Sequence, residues 1–305
     1  MAYRIRPFKT FTDEFRRVAA GQLDKAIAEL SDQPDGPHAA IHAARKRFKR
    51  LRSLYRLIQP DARDVYHREN VRIRDMGRTL SAVRDATALV ETVDDLMGCA
   101  TSDEERAALS FALNALSERR DRIAAAEVDL PGKIDAAIAT CRAALEALDE
   151  LDLADGRSRT AKRLAKAWGK RQAKARHALA RCRTTHAGGD FHELRKSGQT
   201  TWMHLSLLRD LWPTAMAAKQ REVKRLVDML GYEHDLTVLT QTVNENPELF
   251  GDSDTLARLI AAIILRQQAI RSEALELAEL VFADDPEREA DIIAMLWIET
   301  ANRNR

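Results

Sequence analysis

The sequence repeats itself once, at long range. His-x-x-Arg-Lys occurs at His42, Arg45 and Lys46 and again at His192, Arg195 and Lys196, 150 positions later. The same shift aligns Leu80 with Leu230, Asp85 with Asp235, Thr87 with Thr237 and Leu89 with Leu239. So long a period in a 305-residue chain points to two copies of a whole unit, not to a solenoid of short repeats. Each copy is large enough to enclose a core of its own. The segment Asp155-Gly156-Arg157-Ser158 marks the boundary, giving halves 1–155 and 156–305. What the copies share is a histidine beside two cations, an arrangement suited to anions.

Composition decides what kind of unit is repeated. Charged residues make up 31% and aromatics 5%, and Gly (12) and Pro (8) are scarce. No window alternates β-branched residues as a strand does, so the expected class is all-α. Apolar spacing predicts a first helix over about 11–31, broken by Pro34, Asp35, Gly36 and Pro37, with Pro37 opening the next. That second helix runs to about Gln59, and others follow over about 61–81, 84–97, 102–127 and 133–152. In the second half they are expected over 158–184, from Asp190 to Trp212, and over 214–230, 234–246, 254–283 and 286–303. Asp190, with Glu193 three residues on, reads as a capping box.

The formal net charge of +2 conceals a sharp division. From His42 to Arg84 there are 13 Lys/Arg against 4 Asp/Glu, and from Asp85 to Asp155 only 6 against 17. From Arg157 to Lys196 the count is 13 against 2, and from Glu233 to Glu299 it is 4 against 15. Each half runs basic, then acidic, as a focused anion site requires. The acidic helices read as solvated outer faces.

Stepping 100° per residue places the cations on one face. Arg45, Lys46, Lys49 and Arg56 fall within about 60° of His42, with Arg52 at their flank. Ile41, Ala44, Phe48, Leu51, Leu54, Tyr55 and Ile58 lie opposite, and Arg47 alone intrudes on that apolar side. A basic helix face is ordinarily a solvated surface offset by acidic i+4 partners. Here His42 to Gln59 contains no Asp or Glu at all. Around His192 the stripe is thinner: Gln199 stands in the place of Lys49 and Ser206 in that of Arg56. Leu194, Leu205, Leu208 and Trp212 form its apolar side. The preceding helix supplies Arg163, Lys166, Lys170, Lys174 and Arg181 at helical steps, so one site shared between the halves is expected.

With these features the chain resembles the CHAD proteins, whose name stands for conserved histidine α-helical domain. The resemblance rests on Tyr3-Arg4-Ile5, Arg17-Val18, Gln22-Leu23, both His-x-x-Arg-Lys helices, Arg84-Asp85 and Leu230-Gly231-x-x-His234-Asp235. It implies two four-helix bundles related by a pseudo-two-fold axis, with a basic surface and pore between them. It also implies binding of long-chain inorganic polyphosphate and association with polyphosphate granules. Carried over residue by residue, the phosphate contacts are His42, Arg45, Lys46, Lys49, His192, Arg195 and Lys196. Arg52, Arg56, Lys166 and Lys170 extend that set by their place on the same basic faces. Gln199, Ala82 before Arg84-Asp85, and His234 in place of an arginine depart from the family pattern and predict two unequal half-sites.

Polyphosphate has charge but no bases to read, so arginine forks and lysine point charges suffice to hold it. Affinity should fall steeply with salt, by analogy with nucleic acids. A histidine among cations resists protonation while the site is empty and gains a proton when polyanion arrives. Nucleic-acid backbone is the second choice of partner, but stacking aromatics near the stripe are few: Tyr55, Trp202 and Trp212, with Tyr55 and Trp212 expected on the core side. A metal-dependent phosphohydrolase is the remaining alternative, suggested only by His234-Asp235. No Gly-x-x-x-x-Gly-Lys loop or Glu-x-Glu-x-Lys signature accompanies it. The expectation is a non-enzymatic protein with no cofactor and no metal.

Cys99, Cys141 and Cys182 are scattered and form no Cys-x-x-Cys pair, so reduced and mostly buried thiols are expected. The start, Met-Ala-Tyr-Arg-Ile-Arg-Pro, lacks the apolar stretch of a secretion signal, and no segment reaches the ~18 apolar residues of a membrane span. The expected location is the cytoplasm, at polyphosphate granules and among their other proteins, with no membrane partner.

Overall fold

A computed structural model describes residues 3–303. Met1 and Ala2, the first two residues of the start considered as a signal, lie outside the described residues, as do Asn304 and Arg305. The chain is all-α: 84% helical, with no strand among the described residues. The first half supplies α1 (Phe11–Asp32), α2 (Pro37–Tyr55), α3 (Arg63–Thr79), α4 (Ala82–Met97), α5 (Asp103–Ala126) and α6 (Leu130–Asp149). The second supplies α7 (Arg157–Thr185), α8 (Gly188–Leu207), α9 (Pro213–Glu245), α10 (Ser253–Val281) and α11 (Pro286–Arg303). Short 3-10 turns at Arg209–Leu211 and Pro247–Phe250 connect α8 to α9 and α9 to α10.

Local chemistry sets these limits. Gly36 adopts φ 87, a conformation costly for residues with a Cβ, and Pro37 then opens α2. Gly156, at φ 124, performs the same turn before α7. Ser102 caps α5 through Glu105 N–H, and Asp252 caps α10 through Thr255 N–H. α2 stops at Tyr55, earlier than expected, and hydrogen-bonded turns carry the chain on to Pro60.

Three expectations are corrected. The helices expected over 214–230 and 234–246 are one helix, α9 (Pro213–Glu245), which runs straight through Gly231. A mid-helix glycine costs about 1 kcal/mol relative to alanine. The buried Leu226, Leu230, Leu236 and Leu239 and the Glu233–Arg271 ion pair (2.7 Å) outweigh that. Asp190 does not cap α8, which begins at Gly188; its carboxylate instead accepts from Arg181 Nε (2.7 Å) and the Thr185 hydroxyl (2.6 Å). Trp212 is 53% exposed, since α8 ends at Leu207 and the helical angle count has no meaning beyond it.

The helices pack as three groups of four. α1, α2, α3 and α6 form one, and α7, α8, α11 and the first part of α9 form another. These two share a continuous apolar core crossing the boundary at 155/156, where Phe11 of α1 meets Trp297 of α11 edge to face (6.4 Å between centroids). The third group pairs α4 and α5 with α10 and the second part of α9 around Leu89, Val93, Leu109, Leu236, Leu239 and Leu259. Each such leucine, fully buried, contributes about 1.5–3 kcal/mol relative to exposure.

At the centre α2 crosses α8. The buried His204 of α8 donates through Nε2 to the Ser53 carbonyl of α2 (2.9 Å), which fixes the tautomer. Its apolar surroundings push its pKa down to about 3, so the ring stays neutral. The N-terminal strap ties the same pair together: Ile5 N–H donates to the Leu207 carbonyl (2.8 Å) and the Tyr3 hydroxyl to the Arg50 carbonyl (2.8 Å). Cys141 and Cys182 are buried and Cys99 is exposed; all three are free thiols. Among the described residues no helix is long and apolar enough to cross a membrane.

Candidate anion-binding site

The α2–α8 crossing leaves an open cavity of about 630 Å³ between the halves. Arg45, Lys49 and Arg52 of α2 and its C-cap Arg56 form one wall, and His192, Arg195, Lys196, Gln199 and Thr200 of α8 the other. Arg74 and Arg78 of α3 form a third side, over an apolar base of Phe48, Ile73 and Met203. Eight Lys/Arg therefore line the cavity, against the single carboxylate of Asp85.

Several of these cations, half-buried except for the exposed Lys49, lack an acidic partner. Lys49, Arg52, Arg56 and Arg195 make no ion pair within 4 Å among the described residues. Arg52 and Arg56 instead donate to neutral oxygens, Asn70 Oδ1 (2.9 Å) and Thr200 Oγ1 (3.1 Å). Those bonds aim the guanidinium groups without neutralising them. Arg195 Nε and His192 Nδ1 are buried with no hydrogen-bond partner. Only the rim is offset: Arg45 sits 3.6 Å from Asp85 and donates to the Gly77 carbonyl (2.7 Å), Arg74 pairs with Asp75 (2.7 Å), and Lys196 pairs with Glu193.

The crowding shows in the acidities. Lys49 opens onto the cavity, yet the protein around it, together with Arg195 and Arg45, draws its ammonium down to about 8. Burial also lowers Arg195 and Arg52. Behind Arg56, Arg171 of α7 is drawn down to about 10 by burial and by Arg56 itself, and its Nε has no partner. His192 is lowered by burial and then by Lys196 and Arg195. Its ring lies against His234 of α9, centroids 4.4 Å apart and planes tilted by 35°. Burial, Arg195, His192 and Lys49 hold His234 down to about 4. Beside it, Asp235 is raised because burial outweighs the pull of Arg195, Arg84 and Lys49.

Of the residues singled out in the sequence, the cavity gathers Arg45, Lys49, Arg52, Arg56, His192, Arg195 and Lys196. His42 and Lys46 do not line it. From His42 to Arg56 the stripe extends about 20 Å at ~1.5 Å per residue, more than one crossing covers. The first turns of α2 run past α4 instead, where His42 is lowered by burial and by Lys46 and Arg84. Lys166 and Lys170 line a different cavity. Much of the remaining α7 stripe is neutralised or buried: Arg163 pairs with Asp61 (2.7 Å), Lys174 with Glu193 (2.8 Å) and Arg181 with Asp190 (2.7 Å).

Arg74, Arg78 and Arg171 were not identified from sequence. Arg74 and Arg78 stand four apart on α3 and contribute to the basic count of the first half, but only the fold turns them toward α2. Among the described residues no three His, Cys, Asp or Glu side chains gather as a group able to hold a metal ion.

A family model described as the CHAD domain matches residues 17–244. The chain belongs to the CHAD family. No curated protein matches it. The CHAD match contains every residue lining the cavity and ends near the end of α9, leaving α10 and α11 beyond it.

Proposed function

We propose that this CHAD protein binds long-chain inorganic polyphosphate in the cavity between its halves, without chemical conversion, and is thereby held at polyphosphate granules. The observation that carries the reading is a cavity lined, among the described residues, by one carboxylate and eight cationic side chains, four of which make no ion pair within 4 Å. Uncompensated charge at that density lowers the stability of the empty protein, so a counter-charge from outside is the natural complement. A linear polyanion offers phosphoryl oxygens on all sides, which suits walls contributed by three helices. Arginines supply paired donors, and Lys49 and Lys196 supply point charges. Among the described residues Phe48 and His192 are the aromatic rings lining the cavity, with no Tyr or Trp, so little here can stack bases.

Titration of the protein with long-chain polyphosphate in the presence of excess RNA tests the proposal. Saturable binding that survives the RNA supports it. Displacement by RNA at equal phosphate concentration assigns the cavity to nucleic-acid backbone.

A further inference from the structure

A second cationic cavity lies on the same molecule. It measures about 350 Å³ and is lined by Gln59, Pro60, Arg63, His67, Lys166 and Lys170. The turn after α2 and the start of α3 supply four of these residues, and α7 supplies the two lysines, so this cavity too is shared by the halves. No carboxylate lines it. Asp61, the acidic side chain closest in the turn, is already engaged by Arg163 at 2.7 Å. Arg63, Lys166 and Lys170 make no ion pair within 4 Å among the described residues, unlike Lys174, Arg176, Arg181 and Arg183 further along α7. Arg63 Nε donates to His67 Nε2 (3.4 Å), which holds both side chains on one face of α3.

The two cavities are adjacent along the chain on both sides. Arg56 lines the first and Gln59, three residues on, lines the second. Lys170 lines the second, and its neighbour Arg171 lies within electrostatic reach of Arg56 while its buried Nε has no partner. Arg56 and Arg171 therefore stand, along their two segments, next to the residues of both cavities.

Resting on the polyphosphate reading, we propose that the Arg63–Lys166–Lys170 cavity is a second phosphate subsite. One polyphosphate chain leaves the central cavity past Arg56 and Arg171 and occupies it. The consequence is selection by length. A short oligophosphate fills the central cavity alone, whereas a long chain engages both and gains the added contacts without a second association cost.

The test compares tripolyphosphate with long-chain polyphosphate, on wild type and on an Arg63→Gln/Lys166→Gln/Lys170→Gln variant. All three side chains are exposed, so the fold should survive, and circular dichroism with a melting curve verifies it. The expected result is a loss on the order of tenfold to a hundredfold for the long chain and little change for tripolyphosphate. The slope of log affinity against log salt should also fall by about two for the long chain only. Unchanged long-chain affinity, or an equal loss for both ligands, overturns the second subsite. A wild type that binds neither ligand defeats the function itself, a separate outcome.

Discussion

At the scale of single residues, Lys49 is where binding and stability oppose one another most clearly. Its ammonium, pulled down to about 8, is less comfortable in the folded empty protein than in the unfolded chain. Because the folded pKa lies below the unfolded one, the penalty is fully present below pH 8. It is relieved as pH rises from about 8 toward the ordinary lysine value near 10.4. Lys49→Gln should therefore raise the melting temperature of the unliganded protein and weaken polyphosphate binding, on the order of tenfold. A melting curve and a titration on the same sample check both signs. The histidines behave similarly at lower pH. His192 and His234 are held below the normal histidine range, so stability of the empty protein falls as pH drops from about 6.5 toward 4. Bound polyanion reverses that preference, so affinity should rise between about pH 8 and 5.5. His192→Gln/His234→Gln should flatten the rise. A wild-type affinity that is level across that range contradicts the coupling.

Much of this was legible from sequence, and what was missed has a physical reason. The face of α2 could be read because periodicity reports which residues share a side of one helix. It cannot report how far a neighbouring helix extends, so His42 and Lys46 were grouped with a cavity that begins at Arg45. The contact of His192 with His234, 42 positions apart, depends on how α8 packs on α9 and leaves no local signal. Trp212 was misplaced because a helical angle was carried beyond the end of α8.

At the scale of elements, α9 matters most. It is one helix where the first half has two, α3 and α4, separated at Leu80 and Ser81. The break expected between 230 and 234 falls at Gly231, which instead leaves room beside Arg195, whose Nε stands 3.9 Å from where a Cβ would lie. That is ordinary contact distance. Gly231→Ala should accordingly stabilise the protein by about 0.5–1 kcal/mol and leave binding intact, as chemical denaturation and titration will show. The second part of α9 also anchors α4 and α5. Leu239→Ala should cost about 2–5 kcal/mol in a core that excludes the α2–α8 crossing. Hydrogen exchange should then quicken over residues 82–126 before it does in α2 and α8.

At the scale of the whole molecule, near-neutrality results from segregation. Eight cations gather where the halves meet, while the acidic residues are concentrated in the later segments of each half, so the field that a polyanion meets is uneven and strongly positive at the junction. The unequal basic stripes of the two copies point to one site shared between the halves. The cavity draws on both halves unequally: α2, its C-cap Arg56 and α3 supply six of its Lys/Arg, and α8 supplies two. The inequality of the copies is thus part of the site's construction, with Gln199 lying on the weaker wall.

The most direct test of the central claim is polyphosphate affinity measured on wild type and on Lys49→Gln/Arg195→Gln, with both proteins verified as folded. The account predicts saturable, salt-sensitive binding by wild type and a loss on the order of a hundredfold in the variant. Equal affinities in the two proteins would contradict the placement of the polyanion between the halves.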